Sequence, residues 1–227
     1  MTGHLLSLNV GSPEPIDPDG QLTGIRKAPV DVLEVRPPGP KHGGLGSGVV
    51  GDYIGSPQHH GGDDQALYAV AREELDVWGA RLGRDLPSGM FGENLTTSGF
   101  DVDAALVGDR WRLGDEVVVE VTGPRIPCAT FAWRMQVKGW VRLFAERGRT
   151  GTYLRVVEPG RLRRGDRIDV VERPHHEVTV PMVFRAFMGD LELAGQVLER
   201  RVLSPDDHAA LERRVVARTR RVAAARQ

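Results

Sequence analysis

Short apolar runs between glycine and proline clusters dominate the first part of the chain and predict β-strands. Residues 5–10 and 30–35 are apolar or alternating segments of this kind, the pattern that strands show when turns separate them. Two Gly-Asp turns, at 114–115 and 165–166, each lead into a run of β-branched residues. Glycine supplies the positive φ of such turns, and aspartate hydrogen-bonds to the turn backbone. Several short strands at this spacing predict a β-barrel or a sandwich.

Two helices are predicted to interrupt the strands. Apolar side chains recur at three- and four-residue steps over residues 64–82, which is typical of an amphipathic helix packed on a core. Asp63 or Asp64 is available as its N-cap. A less regular pattern places a second helix within residues 131–147, immediately after Cys128, although Gly139 weakens that prediction. The apolar positions of the first helix are Leu67, Val70, Ala71, Leu75, Trp78 and Leu82.

The sequence changes from strand-like to helical patterns after residue 174, where three short helical patterns follow one another. Thr179 precedes the first, Asp190 caps the second, and Ser204 with Pro205 opens the third. We therefore expect a β domain over residues 1–174 and a small three-helix domain over residues 175–227. The last seventeen residues carry six arginines but no aromatic residue, which favours a solvated, fraying helix end over a nucleic-acid-binding arm.

Composition and charge narrow the class of protein. The chain has 227 residues, 40% of them hydrophobic, and a formal net charge of −1, which predicts a globular protein without a general attraction to nucleic acid or anionic membranes. No apolar stretch approaches the roughly 18 residues of a membrane span, and the first ten residues lack the features of a secretory signal. We therefore expect a cytoplasmic protein. Residues 46–51 match G-x-G-x-x-G but lack the preceding strand and following helix of a dinucleotide site, so they predict only a glycine-rich loop.

Cys128 is the single cysteine of the chain, and its setting is the best clue to function. It ends a stiff segment, residues 123–128, in which Pro124 and Pro127 restrict the backbone and fix the direction of the thiol. The residue is an inert buried cysteine, a nucleophile or a metal ligand. Arg125 nearby and a helix beginning just after the cysteine both favour the thiolate form.

Three further segments carry candidate chemistry. His59 and His60 stand in a His-His-Gly-Gly turn before the first predicted helix, where imidazoles and backbone amides can meet an anion or a metal-bound oxygen. Glu93 and Asn94 form a polar insertion between Phe91 and Leu95, and Lys27, one of only three lysines, precedes a strand. The two histidines and Cys128 also leave open a structural or hydrolytic zinc site.

Taken in order, four motifs resemble the MOSC domain, and the three terminal helices are similar to its YiiM-like branch. These motifs are G-D-x₆-H-H-G-G-x₃-A-L-Y-A from residue 51, F-G-E-N-L-T-T-x-G from 91, V-G-D-R-W-R-L-G-D from 107 and P-R-I-P-C from 124. The resemblance covers nearly the whole chain, residues 5–216. It implies a mainly β, barrel-like MOSC fold, followed here by the small three-helix domain.

The resemblance also implies a cofactor and the residues that bind it. Family members bind the molybdenum cofactor, a pterin dithiolene, and by matching motifs Cys128 is the molybdenum ligand; a soft thiolate suits such a metal. Lys27 is then expected to bind the pterin phosphate, and Asn94 to approach the metal. The pocket is expected to be lined by Arg125, His59 and His60. A sister branch, the mitochondrial amidoxime reducers, has Arg-Pro-Asn where this chain has residues 92–94, so the arginine contact of that branch is lost here or supplied elsewhere.

The reaction implied by the resemblance is the reduction of small N-hydroxylated compounds, such as hydroxylaminopurines and amidoximes. His60 and Glu93 are then candidate proton donors beside Cys128. The chain has neither iron–sulfur cysteines nor a flavin motif, so a separate flavoprotein or ferredoxin-type protein is expected to deliver the electrons. No membrane or nucleic-acid partner is expected, and the protein is predicted to be a monomer or homodimer. The competing hypothesis is a cofactor or sulfur carrier that holds a persulfide on Cys128.

Overall fold

The computed structural model describes residues 3–16, 21–57 and 59–224. The helices of this part are α1 (Arg72–Leu82), α2 (Ala129–Met135), α3 (Trp140–Arg147), α4 (Val180–Phe187), α5 (Leu191–Arg200) and α6 (Pro205–Ala224). The strands are β1 (Gly3–Gly11), β2 (Glu14–Pro15), β3 (Leu22–Thr23), β4 (Lys27–Val30), β5 (Val32–Val35), β6 (Leu67–Ala71), β7 (Leu95–Ser98), β8 (Arg110–Leu113), β9 (Val117–Pro124), β10 (Thr152–Glu158), β11 (Gly160–Arg163) and β12 (Arg167–Glu172).

Seven strands close into a barrel, which confirms the mainly β, barrel-like fold. Their order is β12-β8-β9-β10-β6-β7-β1, and the circle closes where β1 pairs with β12, with Gly3 opposite Ile168. The β6–β7 pair is parallel and the other neighbours are antiparallel. β4 extends the sheet beyond β1. Closure leaves no free sheet edge within the circle, which is how a barrel of short strands stabilises itself.

The first predicted helix is wrong over its first half. Residues 67–71 form strand β6, and the helix begins only at Arg72. All five residues of β6 are buried: Leu67, Ala69 and Ala71 face the barrel interior, whereas Tyr68 and Val70 face an outer apolar cluster. A strand covered on both faces is continuously apolar, so it also satisfies a helical spacing. Asp63 and Asp64 lie in a short 3₁₀ turn whose N-cap position is Gly62.

The second predicted helix is divided in two. Gln136 and Gly139 both adopt left-handed backbone conformations, so α2 ends at Met135 and α3 starts at Trp140. Aromatic side chains pack the two helices against each other and against α1: Trp140 of α3 lies 5.3 Å from Phe131 of α2 and 4.6 Å from Trp78 of α1, measured between ring centroids. This cluster fixes the position of α2, and therefore of Cys128 immediately before it.

The three C-terminal helices begin where the sequence predicts. The side chains of Thr179 and Asp190 accept hydrogen bonds from backbone N–H groups at the starts of α4 and α5, and Pro205 is the first residue of α6. Val180 at the start of α4 belongs to the barrel core, so this helix is attached directly to the β-structure. None of the helices in the described ranges is long and apolar enough to cross a membrane.

Candidate functional site

A cavity of about 540 Å³ lies beside the barrel, where the end of β9, the loop before β6 and the start of α2 meet. It brings together six of the seven site residues predicted from the sequence. These are Lys27, His59, His60, Asn94, Arg125 and Cys128. The seventh, Glu93, does not line the cavity.

Cys128 stands at the N-cap position of α2. Its backbone is extended, with φ −128° and ψ 174°, and its carbonyl accepts a hydrogen bond from the N–H of Ala132. The side chain itself makes no capping hydrogen bond, and it is partly exposed. The residue follows β9, whose last residue is Pro124, so the strand and the proline-rich turn direct the sulfur into the cavity. The thiol is therefore available to a ligand.

Arg125 supplies a buried positive charge to the same cavity. The residue is 7% exposed, and its guanidinium carbon lies 4.3 Å from the ring centroid of Phe131 and 5.0 Å from that of Tyr68. Nη1 donates to the carbonyl of Phe91 at 2.9 Å, but the buried Nε has no hydrogen-bond partner among the described residues. A buried N–H without a partner costs free energy. Arg125 is thus suited to an anionic or carbonyl-bearing ligand.

Lys27 lines the cavity and pairs with an aspartate that is not among the site residues predicted from the sequence. Its Nζ lies 2.5 Å from Oδ1 of Asp52, and the two side chains are 7% and 2% exposed. Asp52 also accepts hydrogen bonds from Ser47 and from the backbone N–H of Gly11. Burial lowers the pKa of Lys27, and the negative charge of Asp52 opposes that shift. The signal for Asp52 was present in the Gly-Asp that opens the first motif, but its pairing depends on tertiary structure.

Asn94 connects the Lys27–Asp52 ion pair to the barrel through hydrogen bonds. Its Nδ2 donates to Oδ2 of Asp52 at 3.0 Å and to the carbonyl of Asn9 at 3.3 Å, while its Oδ1 accepts from the backbone N–H of Tyr68 at 3.3 Å. Asn94 is only 4% exposed. With three hydrogen bonds already made, its amide contributes a fixed polar wall to the cavity.

His60 is neutral at pH 7 in this setting. Burial lowers its pKa to about 4, and the positive charges of Arg125 and Lys41 act in the same direction. A neutral imidazole is a weak acid, so this environment suits His60 to hydrogen bonding more than to the proton donation expected from the sequence. His59 is exposed at the rim. The two histidines precede a 3₁₀ turn and a strand, so the helix N-terminus predicted for this motif is absent here.

Glu93 has a structural environment instead of a catalytic one. It is 0% exposed, and its carboxylate accepts hydrogen bonds from the backbone N–H groups of Gly89 and Phe91 and from Oγ1 of Thr96. Those bonds hold together the loop that carries Asn94. Burial raises the pKa of Glu93, but the residue does not line the cavity, so its role as a proton donor stays a prediction.

The C-terminal helix contributes to the cavity a residue from the segment that the sequence predicts to be solvated. Arg214 of α6 lines the cavity, and its Nη1 donates to the carbonyl of Phe187 in α4 at 3.1 Å. The C-terminal segment predicted to fray is helical as far as Ala224, and residues 225–227 lie outside the described residues. The structure does not support the zinc site that the sequence left open. Within residues 3–16, 21–57 and 59–224, no three His, Cys, Asp or Glu side chains cluster closely enough to hold a metal ion.

Comparison with known proteins agrees with this architecture. YflK of Bacillus subtilis, described as uncharacterized, is 35% identical over 185 residues, or 80% of this chain and 79% of that protein. The crystal structure of YiiM from Geobacillus stearothermophilus superposes with a TM-score of 0.73 at 26% identity, covering 94% of this chain and 99% of that one. A protein of Gibberella moniliformis named Reductase is 33% identical over 146 residues, which are 61% of this chain but 25% of that protein.

The family assignment rests on both the sequence and the fold. The model of the MOSC domain matches residues 56–169, a range that includes the His-His-Gly-Gly turn, Asn94, Arg125 and Cys128. Together with the YflK match over most of both chains, this shows that the chain belongs to the MOSC domain family, as a YiiM-like member.

Proposed function

We propose that this protein binds the molybdenum cofactor in the 540 Å³ cavity and reduces small N-hydroxylated compounds there. The observation that carries the proposal is that the thiol of Cys128, which makes no capping hydrogen bond, shares one cavity with the basic side chains of Lys27 and Arg125. The similarity to a protein named Reductase supports an oxidoreductase, although it covers only a quarter of that protein.

The residues present fit such a cofactor. Molybdenum in this cofactor is held by soft sulfur ligands, and the thiolate of Cys128 is a ligand of the same kind. The anionic phosphate needs cationic or N–H donors, and Arg125 has a buried Nε without a partner. Lys27 would contribute its charge while remaining bonded to Asp52. When bound, the cofactor supplies two-electron redox chemistry, which the protein side chains cannot supply themselves.

The side chains then have distinct tasks. Cys128 would hold the metal and tune it, and Arg125, which lies over the rings of Tyr68 and Phe131, would orient the anionic part of the cofactor. Asn94, fixed by its three hydrogen bonds, would set the shape of the polar wall. His60, neutral at pH 7, would form a hydrogen bond with the substrate, either as donor or as acceptor. Protons for the reaction would come from water that enters the open cavity.

The overall reaction consumes two electrons and two protons, converts R–NH–OH to R–NH₂, and releases water. The N–O bond breaks, its oxygen leaves as water, and nitrogen is the atom reduced. A separate flavoprotein or ferredoxin-type protein would supply the electrons, because the chain has a single cysteine and no flavin motif.

The test compares wild type with Cys128→Ser after expression in a host that makes the cofactor. Molybdenum and pterin are measured in the purified proteins, and reduction of hydroxylaminopurine and benzamidoxime is assayed with reduced methyl viologen. Wild type should contain both and turn over substrate, whereas Cys128→Ser should lose molybdenum and activity. Thr130→Ser, which alters another cavity residue in the first turn of α2, is the matched control and should retain both.

Two outcomes would contradict the proposal. Loaded wild-type protein that is inert toward several N-hydroxylated substrates would exclude the reductase, and retained molybdenum in Cys128→Ser would exclude Cys128 as its ligand. A persulfide on Cys128 in mass spectra, without bound pterin, would instead support the sulfur-carrier hypothesis.

A further inference from the structure

Three arginines form a basic cluster around the C-terminal half of α2. The guanidinium of Arg26 lies over the ring of Trp133, with 5.1 Å between its carbon and the ring centroid. Arg84 donates a hydrogen bond from Nη2 to the carbonyl of Met135. The third member, Arg134, stands between these two α2 residues in the sequence. The basic cluster therefore joins the segment before β4, the segment after α1 and α2 at one place.

Arg134 carries a half-buried charge that lacks a bonded partner. Its Nε is buried without a hydrogen-bond partner, and its guanidinium forms no ion pair among the described residues. Burial and the positive charges of Arg26 and Arg84 lower the pKa of Arg134, and the charges of Glu14 and Glu93 oppose this shift only in part. Such a group costs free energy in the folded protein, and an anion that brings it hydrogen-bond acceptors recovers that free energy.

The acidic side chains beside the basic cluster do not neutralise it. Glu14 approaches Arg26 at 3.4 Å, but the two side chains are 40% and 51% exposed, and exposed pairs of this kind contribute little. Asp85 follows Arg84 and is exposed, and it forms no ion pair within the described ranges. Three cations thus face two exposed anions, around the ring of Trp133. Arginine and tryptophan are enriched at the centres of protein–protein interfaces.

The basic cluster lies next to the candidate cofactor cavity. Arg26 stands between Ile25 and Lys27, which both line that cavity. Cys128 is the N-cap residue of α2, and Arg134 follows it by six residues, which is roughly 9 Å along a helix axis. A protein bound to the basic cluster would therefore contact the helix whose first turn holds the candidate metal ligand.

We infer that the basic cluster is the docking site for the electron donor, a small electron-transfer protein with a carboxylate-rich surface, one carboxylate of which pairs with Arg134. This inference rests on the proposed reductase function, which consumes two electrons; two encounters with a reduced one-electron carrier supply them. An arginine binds a carboxylate through two parallel hydrogen bonds. The arginines of α6 offer another basic surface, but they are exposed to water and, among the described residues, no buried N–H of that helix lacks a partner.

The test measures binding of an acidic [2Fe–2S] ferredoxin to the purified full-length protein by calorimetry at about 10 mM ionic strength, with basic cytochrome c as the comparison protein. Wild type should bind ferredoxin and not cytochrome c, and binding should weaken at about 0.15 M salt. Arg134→Met should weaken ferredoxin binding by about tenfold or more, because a charged hydrogen bond is lost. Arg134→Lys keeps the charge but not the paired donors and should have intermediate affinity. Arg220→Met, at an exposed position on α6, is the matched control and should bind as wild type.

The melting temperature separates docking from a structural role of Arg134. Arg134→Met should melt at or above the wild-type temperature, because the substitution removes a half-buried charge without a bonded partner. Lost ferredoxin binding together with a lower melting temperature would assign Arg134 a structural role and overturn the inference.

Three further results would overturn the inference: no ferredoxin binding to wild type at low salt, equal affinity for wild type and Arg134→Met, or weaker binding by Arg220→Met instead. In cofactor-loaded enzyme, Arg134→Met should lower the ratio of ferredoxin-driven to methyl-viologen-driven reduction by about the same tenfold factor, since methyl viologen needs no docking surface. These readouts separate the two proposals. Ferredoxin binding that depends on Arg134 in an inert enzyme refutes only the reaction, whereas activity with methyl viologen and an unchanged ferredoxin affinity in Arg134→Met refutes only the docking site.

Discussion

Lys27 and Asp52 form a buried ion pair at the wall of the candidate cofactor cavity, with Nζ and Oδ1 2.5 Å apart. Asp52 accepts further hydrogen bonds from Gly11, Ser47 and Asn94. One carboxylate therefore connects the end of β1, the start of β4, the glycine-rich loop and the loop after Phe91. The pair has a structural task and a ligand-binding one, because the same lysine offers a positive charge to the cavity.

Replacing Asp52 with Asn should destabilise the protein by about 3 kcal/mol, because it leaves the charge of Lys27 buried without its partner. The pKa of Lys27, already lowered by burial, should fall further when the opposing effect of Asp52 is removed. Lys27 then loses its proton more easily in the folded state than in the unfolded state. The stability penalty should accordingly shrink as the pH rises from 7 toward about 10. Urea unfolding at several pH values measures both effects.

The matched control for Asp52→Asn is Glu146→Gln, in an exposed ion pair with Arg142 whose side chains are 57% and 80% exposed. Exposed pairs contribute about 0–1 kcal/mol, so this variant should unfold nearly as wild type. The double variant Lys27→Met with Asp52→Asn should recover part of the lost stability, because no unpaired charge remains. Equal unfolding free energies for Asp52→Asn and Glu146→Gln would contradict the structural role of the pair.

Glu93→Gln should destabilise the protein by about 1–3 kcal/mol, because either orientation of the new amide points an NH₂ group at a backbone N–H of Gly89 or Phe91. Chemical unfolding measures this. The control is Glu73→Gln, whose carboxylate accepts from the backbone N–H of Gly99 at an exposed position and where water can replace the lost bond. Normal stability of Glu93→Gln, together with a specific loss of kcat, would restore the catalytic role that the sequence suggests.

The limits of sequence prediction can be located at particular residues. Short motifs with strong local constraints contain Cys128, Arg125 and Asn94, and these three residues line one cavity. The errors concern long-range structure. Residues 67–71 satisfy both a helical spacing and a buried strand, and only closure of the barrel decides between them. Asp52 and Arg214 reach the cavity from segments far apart in sequence, so no local pattern connects them with Cys128.

Acidification should destabilise the protein partly through His60. Its pKa is about 4 in the folded protein and close to 6.5 when unfolded, so the unfolded state binds more protons between these values. Stability contributed by the neutral imidazole is present above about pH 6.5 and is lost as the pH falls toward 4, by up to about 3 kcal/mol. His60→Gln should flatten the dependence of unfolding free energy on pH in this window.

His59→Gln is the matched control for the histidine prediction, since it removes the adjacent but exposed imidazole. It should change the pH dependence less than His60→Gln does, because the charge of His59 comes last among the causes that lower the pKa of His60. An NMR titration of the histidine ring protons gives the direct check, with the midpoint of His60 expected near 4. A midpoint near 6.5 for His60 would contradict its burial among positive charges and would make it available as a proton donor at neutral pH.

Gly61 should be intolerant of any side chain, because the His-His-Gly-Gly turn packs against the glycine-rich loop at that point. Its φ is +85°, and a Cβ there would lie 2.5 Å from the carbonyl oxygen of Gly46. Gly51 has nearly the same φ, +84°, but a Cβ there would meet nothing within 4 Å. Gly51→Ala should therefore cost only the backbone strain, about 1–2 kcal/mol, whereas Gly61→Ala should cost more and displace the loop that carries His59 and His60. The difference in thermal stability between the two variants measures the effect of the close contact with Gly46. Equal losses of stability would show that the turn can move away from Gly46 without a free-energy cost.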